Sequence, residues 1–277
     1  MTIKTLETVP ITLLAAVFNE AFSDYVIPFS LSETDLKAKI AAENIRLDCS
    51  LGVFLKNKPI GFILVGVDTI DRKPTAYNAG TGVIPKCRGQ RQTQAMYDYL
   101  LPLLQLKGIS HHLLEVITHN EKAIHIYKRI GFETLRTLNC YKGNIAPSRS
   151  SFDFKPLDVL DWELMVSFWD FKPSYQNSIA TINRMKNDLE FAGAFADGNL
   201  VGYIVFGAAR IKQFAVHPQF RRMGIGRQLF YEVQKKAGNT IVSLTNIDAA
   251  NKGTNVFLLE IGLVQIVQQL EMGMKIN

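Results

Sequence analysis

The densest grouping of chemically capable residues is Arg221-Arg222-Met223-Gly224-Ile225-Gly226, followed by helical spacing from about Arg227. Glycines at two alternate positions, flanked by the main chain of Met223 and Ile225, remove side chains that would block a close approach. The first amides of the helix have no internal partner and point outward at the positive end of its dipole, and Arg221, Arg222 and Arg227 add formal charge. Together these make a cradle for a pyrophosphate, although a glycine pair also serves as a plain tight turn. Other side chains capable of chemistry are scattered. His217 beside the arginine loop is placed either to reach a phosphate or to sit exposed. His111-His112 has no third ligand at metal spacing, so no metal is expected. Glu115 lies in the apolar run Leu113-Leu114-Glu115-Val116, where a carboxylate needs water or a partner. Glu20 and Asp24, near the end of the first helical stretch, carry negative charge that either meets a cation or caps a solvated helix end. In Trp169–Ser178, aromatic residues stand beside Gln, Asn and Ser, a composition that fits the lining of a pocket and fits a packing patch equally well.

The elements that must position these residues follow from an internal repeat. Val83-Ile84-Pro85-Lys86-Cys87-Arg88 and Val216-His217-Pro218-Gln219-Phe220-Arg221 share the form V-x-P-x-x-R. Each follows an apolar stretch and precedes helical spacing: Tyr97, Leu100, Leu104 in one copy and Phe230, Val233, Ala237 in the other. Downstream, Asn120 through Gly131-Phe132 corresponds to Asn251 through Gly262-Leu263. A duplicated module of about 135 residues accounts for both. The polar, Gly- and Pro-containing stretch 143–151 is the expected boundary, giving modules 1–146 and 147–277. Expected strands are Leu51–Leu55, Ile60–Val67, Ala76–Val83 and His111–Ile117, then Phe191–Phe195, Leu200–Phe206, Ile211–Val216 and Thr240–Leu244. Turn residues at Lys56-Asn57-Lys58-Pro59 and Asp197-Gly198-Asn199 predict hairpins early in each half. The fold class is therefore α/β of the α+β type, with strand–loop–helix as its central unit.

Composition narrows the field further. The chain has 277 residues, 47% of them hydrophobic, and 31 Lys+Arg against 25 Asp+Glu for a formal charge of +6. This is a globular composition, large enough for two domains that hold themselves together without metal or disulfides. The cysteines Cys49, Cys87 and Cys140 fit neither a disulfide framework nor a zinc knuckle, which points to a reducing compartment. The apolar run Ile11–Phe18 reads as an amphipathic helix, with Ile11, Leu14, Phe18 and Phe22 at helical spacing, and not as a signal peptide. Gly202–Ala209 is far short of a membrane span. The expectation is a cytoplasmic protein that does not bind membranes. Its positive charge contains no long basic run and no aromatic-interleaved stripe, so nucleic acid is not an expected partner.

Val216-x-Pro218-x-x-Arg221-Arg222-Met223-Gly224-Ile225-Gly226 resembles the acyl-CoA loop of the GNAT superfamily of N-acyltransferases, Q/R-x-x-G-x-G/A. Asn120-x-x-Ala123-x-x-x-Tyr127-x-x-x-Gly131-Phe132 is similar to the stretch in which a strand-end Asn and a helix Tyr flank the cofactor thiol. The resemblance covers nearly the whole chain as two tandem modules, each implied to be a mixed, mostly antiparallel central sheet flanked by helices. It implies acetyl-CoA as co-substrate and direct attack by a primary amine of a small molecule or peptide, with a homodimer compatible. It also implies roles: amides at Val83 and Val216 for the thioester oxygen, Arg88 and Gly89 in the first loop, Asn120 for pantetheine, Tyr127 as acid, Glu115 as base, and Glu20 and Asp24 on the acceptor side. The two copies depart from the pattern in opposite ways. The first has Arg91 and Thr93 at the glycine positions, and the second has Leu258 where the first has Tyr127. A CoA-binding module without turnover is the competing expectation.

Overall fold

The computed structural model describes residues 1–24, 30–147 and 152–276. The chain divides into two compact units, Met1–Leu135 with Glu271–Asn277, and Arg136–Leu270. These do not coincide with 1–146 and 147–277. The reason is strand placement: residues from Arg136 onward, although they precede the polar connection, build into the second unit, and the chain's last residues return to the first. Residues 148–151 of the expected boundary lie outside the described residues.

The first unit contains β1 (Thr2–Thr5), α1 (Ile11–Ala21), α2 (Glu33–Ala42), β2 (Leu51–Leu55), β3 (Lys58–Ile70), β4 (Lys73–Val83), α3 (Gln92–Leu106), β5 (His111–Ile117) and α4 (Glu121–Ile130). β6 (Glu133–Gly143) leads into the second unit, which continues with β7 (Asp153–Pro156), α5 (Trp162–Ser167), α6 (Ile179–Arg184), β8 (Glu190–Ala196) and β9 (Asn199–Gly207). β10 (Arg210–Val216), α7 (Ile225–Lys236), β11 (Val242–Asp248), α8 (Lys252–Glu260) and β12 (Leu263–Lys275) complete the chain. In the first unit the strands lie in the order β1-β2-β3-β4-β5, with the end of β12 beside β5; in the second the order is β12-β6-β11-β10-β9-β8-β7. Pairing is antiparallel through β1–β4 and through β7–β10, and parallel between β4 and β5 and between β10 and β11.

Local chemistry explains these elements. The β2–β3 and β8–β9 hairpins turn on left-handed pairs, Lys56-Asn57 (φ 48° and 64°) and Asp197-Gly198 (φ 49° and 79°), whose twist matches that of the strands they join. α2 begins at a capping box, Ser32 with Asp35. α1 buries Leu14, Ala15, Val17, Phe18 and Ala21, and Phe18 stacks on Phe62 of β3 at 5.2 Å. α3 buries Met96, Tyr97, Leu100 and Leu104, and α7 buries Ile225, Leu229, Phe230 and Val233. Hence each long helix covers its sheet with one apolar stripe, burial that stabilises by ~25 cal/mol per Å². No helix among the described residues is long and apolar enough to cross a membrane.

His112 sits in this core fully buried, between Tyr97 (5.7 Å) and Phe132 (5.1 Å), and among the described residues neither ring nitrogen has a hydrogen-bond partner. It packs as a neutral ring. Burial lowers its pKa from 6.5 to about 3. The unfolded chain therefore takes up this proton near pH 6.5 and the folded chain only near 3, so acidification between these values favours unfolding. We expect the stability of the first unit to fall by ~1.4 kcal/mol per pH unit in that window on account of this residue. His112→Leu should flatten the slope, measured by denaturant unfolding at pH 7 and pH 5; an unchanged slope would refute the assignment.

Candidate functional site

In each unit the parallel strands part. The β4–β5 ladder ends at Asn78↔Leu114, after which β4 runs on to Val83 and β5 to Ile117. The β10–β11 ladder ends at Ile211↔Leu244, and those strands run on to Val216 and Asp248. A bulge marks each parting. Ala79 is the extra residue of β4, between the pairs Val65↔Asn78 and Leu64↔Gly80, and Lys212 is the extra residue of β10, between Ile211↔Phe206 and Gln213↔Val205. Such bulges bend a strand and increase its twist, which separates it from one neighbour while it stays paired to the other. Beyond the bulges, Ile84 N–H donates to Ile60 O and His217 N–H to Val201 O. Because successive residues of a strand alternate in direction, the main-chain groups of Val83 and Val216 face away from those partners, on the side of the parting.

The loops that follow share one backbone course. Gly89 (φ 79°) and Arg91 (φ 60°) are left-handed in the first, and Arg222 (φ 66°) and Gly224 (φ 83°) in the second. Each loop thus has one glycine and one arginine at these two positions, in opposite order, so Arg91 does not break the loop. It leads into α3 as Gly224 leads into α7. A Cβ at Gly89 or Gly224 would meet nothing within 4 Å. Gly226 differs. A Cβ there would lie 2.9 Å from the ring of Phe257, so this glycine lets α7 pack on α8.

Of the arginines, Arg222 and Arg91 stay exposed, Arg222 lying 4.0 Å from Glu260. Arg88 and Arg221 do not contribute charge to the cradle as expected; each folds back on its own strand. Arg88 Nε donates to Val83 O (2.9 Å) and its other nitrogens to Ala21 O (2.8 Å) and to the carboxylate of Asp24 (2.7 and 2.8 Å). Arg221 Nε donates to Val216 O (3.0 Å), with Phe168 O at 3.0 Å and Asp170 Oδ1 at 2.8 Å. Arg227 donates to Glu260 O at the end of α8 (3.2 Å). Met223 is exposed, whereas the Ile225 side chain is buried, leaving only its amide at the helix start. His217 accepts from Gln219 N–H (3.3 Å) and packs edge-on against Phe168.

The first-unit candidates fall into two groups. Glu20 and Asp24, expected on the acceptor side, instead pair with the loop: Glu20 with Lys86 at 3.1 Å and Asp24 with Arg88. The Arg88 hydrogen bond holds the Asp24 carboxyl below its ordinary range. Asn120 caps α4, its Oδ1 accepting from Ala123 N–H (3.2 Å), and Asn251 does the same for α8. Glu115 receives a hydrogen bond from the Tyr77 hydroxyl (3.1 Å) and stands one residue beyond the last β4–β5 pair. Tyr127 is 9% exposed, edge-on to Tyr97 (6.2 Å) and Phe132 (5.8 Å). Burial, and then the neighbouring Tyr127, hold the Tyr97 hydroxyl well above the usual tyrosine range, and Asn78 Nδ2 donates to it at 2.8 Å. Among the described residues no group of His, Cys, Asp and Glu could hold a metal ion.

The second unit has a small cleft at its parting, open to solvent. Trp169, Asp170, Phe171, Pro173 and Asn177, from the segment singled out for its aromatics, line it with residues of β10 and β11. A buried chain of hydrogen bonds supports it: Trp169 Nε1 to Tyr203 OH (2.6 Å), Tyr203 OH to Gln213 Oε1 (3.0 Å), and Gln213 Nε2 to Asn177 O (2.6 Å). Sequence reasoning missed Tyr203 and Gln213, although a Gln inside an apolar strand was the available signal.

Comparison with known proteins agrees with this architecture. The acetyltransferase (GNAT) family model matches residues 14–132, and a second GNAT acetyltransferase domain model matches residues 168–268. Together they span most of the chain. The chain belongs to the GNAT family, as a tandem of two such domains, and is an acetyltransferase by class. No curated protein matches it in sequence. Among solved structures it is similar to a tandem GNAT protein from the clavulanic acid biosynthesis pathway (TM-score 0.75, 11% identity, covering 100% of this chain and 98% of that one). It is also similar to a GCN5-related N-acetyltransferase from Sphaerobacter thermophilus (0.71, 12%, 100% and 96%) and to a GNAT-family acetyltransferase from Colwellia psychrerythraea (0.58, 14%, 100% and 100%). At these identities the likeness concerns the fold.

The Gly226 contact yields a test. Gly226→Ala should destabilise the second unit by ~1–3 kcal/mol through overpacking. Adding Phe257→Leu should recover part of that loss, whereas independent effects that simply add, read by denaturant unfolding, would contradict the contact.

Proposed function

We propose that the protein transfers an acetyl group from acetyl-CoA to a primary amine of a small molecule or peptide by direct attack. The observation that carries this reading is the parting of two parallel strands followed by a left-handed loop and a helix N-terminus, present in both units. Acetyl-CoA supplies the acetyl thioester. In the second unit the open backbone of Gly224, the leading amides of α7 and the exposed Arg222 suit its pyrophosphate. The first unit offers the same course, with Arg91 adding charge at the start of α3. The Val83 and Val216 amides face the partings, where an N–H would hold the thioester oxygen as it gains charge.

Chemistry is proposed for the first unit, because the titratable candidates stand there. Glu115 would take the proton from the attacking amine, directly or through one water, and Tyr127 would give one to the departing sulfur. The amine nitrogen bonds to the acetyl carbon as the carbon–sulfur bond breaks, leaving the acetylated amine and free thiol. Thiol release from acetyl-CoA with a panel of primary amines checks the reading. Tyr127→Phe should lower kcat by about 100-fold with the CoA Kd nearly unchanged. Gly224→Val should weaken CoA binding by about tenfold or more, since a β-branched residue resists the left-handed region.

A second reading, a CoA-holding protein without turnover, is favoured by one observation: Tyr127 is nearly buried, and Leu258 occupies its place in the other unit. A chain that binds CoA yet releases no thiol with any amine would establish that reading and overturn the first.

A further inference from the structure

Asn177 ends a short 3₁₀ turn, Tyr175–Asn177, between α5 and α6. It is 3% exposed and lines the second unit's cleft together with Trp169, Phe171 and Phe214. Its carboxamide has a determined orientation. The atom 3.0 Å from Thr245 O must be Nδ2, because a carbonyl oxygen can only accept. Oδ1 is thereby left as a buried acceptor with no donor among the described residues.

The surroundings set this unpartnered acceptor apart. Gln213 uses both ends of its carboxamide, on Tyr203 and on Asn177 O. Asn246 donates to Ser174 Oγ (2.9 Å) and accepts from Gln269 Nε2 (2.8 Å). A network this closely matched does not leave a buried acceptor unfilled without cost, and groups of this kind call for an explanation. Position supplies one. Thr245 is the first residue of β11 beyond the last β10–β11 pair, so Asn177 stands over the parting itself.

We propose that Asn177 is a ligand-binding residue whose Oδ1 accepts an N–H from the molecule that enters the β10/β11 cleft. The ligand class is one that presents an amide N–H at the parting. This rests on the acetyl-transfer reading above: with the amine assigned to the first unit, the N–H that reaches the second unit's parting is a secondary amide of the pantetheine arm of CoA.

The test uses the full chain, with CoA and adenosine 3′,5′-bisphosphate as probes; the latter keeps the nucleotide phosphates and lacks the arm. With Asn177→Ala, a pantetheine source predicts a CoA Kd raised about five- to tenfold with the bisphosphate Kd unchanged. Unchanged Kd values together with a raised KM for the amine would place the acceptor in this cleft and overturn the assignment. Since Asn177 also bonds Thr245, the variant should unfold at a lower temperature without ligand. The second readout is therefore the rise in Tm that each ligand causes, which a purely structural role would leave intact. Asn177→Ser, whose hydroxyl can still donate to Thr245 O, should show the same binding defect with a smaller loss of stability. Variants that match the wild type in CoA Kd, amine KM and ligand-induced Tm rise would overturn the inference. A wild-type chain that binds no CoA would overturn the acetyl-transfer reading and this inference with it.

Discussion

Everything at the two partings hangs on one guanidinium group in each unit. Arg88 and Arg221 close back onto the last carbonyl of the strand they follow, Val83 O and Val216 O, and the same group reaches a carbonyl at the end of its unit's first helix, α1 or α5, and an aspartate just beyond it. A planar fork with five donors can hold all three at once; an ammonium presents its donors without that planar geometry. The brace does two things. It satisfies a strand-end carbonyl that has left its sheet neighbour at the parting, and it holds the loop against the layer that carries Asp24 or Asp170. With the loop held there, the helix amides that follow stay where an anion can meet them.

The brace also explains why the loops tolerate different sequences. Two left-handed residues are needed for the chain to pass from the 3₁₀ turn that follows the strand (Pro85–Cys87 or Pro218–Phe220) into the helix, and either can be glycine. The first loop spends its glycine at position 89 and accepts strain at Arg91; the second does the reverse, with Arg222 and Gly224. A left-handed non-glycine residue costs on the order of 1 kcal/mol, small against a three-armed guanidinium anchor. Conformation is thus retained in both copies while the side chain presented at the helix start is exchanged. Gly226 shows that a motif glycine can answer a second demand, here the approach of Phe257 to α7.

Much of this was legible in the sequence, and the illegible parts have physical causes. β2 and β5 have the expected limits, and five of the other expected strands are extended by one to three residues at one or both ends, because their apolar patterns and left-handed turns are local signals. β11 was misplaced, expected at Thr240–Leu244 and found at Val242–Asp248; its second half is the polar run Thr245-Asn246-Ile247-Asp248, with Asn246 at φ 67° in a register shift, so it carries no strand pattern. β1 and β7 are four-residue edge strands with little to bury. At the site, the loops, Glu115 and the aromatic segment before α6 could be found from residue type. The roles of Arg88, Arg221, Asp24 and Glu20 could not, because charge in a sequence does not say whether it meets a ligand or a carboxylate brought close by the fold.

What separates the two copies is where the polar groups at each parting come from. In the first unit they rise from the sheet and the helix behind it: Asn78 on β4 bonds Tyr97 of α3, Tyr77 bonds Glu115, and Tyr127 packs edge-on against Tyr97. In the second, Leu258 fills the position of Tyr127 with an apolar side chain, and β11 carries Thr245 where β5 carries Glu115. The polar groups come instead from the segment after α5, through Trp169, Ser174 and Asn177, tied to Tyr203, Asn246 and Gln213. Removing a hydroxyl and a carboxylate from one wall leaves the parted strands with main-chain groups to satisfy, and Asn177 meets Thr245 O from the opposite side. The backbone requirement is thus common to both units, whereas the side chains that meet it differ, and with them the chemistry each parting can support.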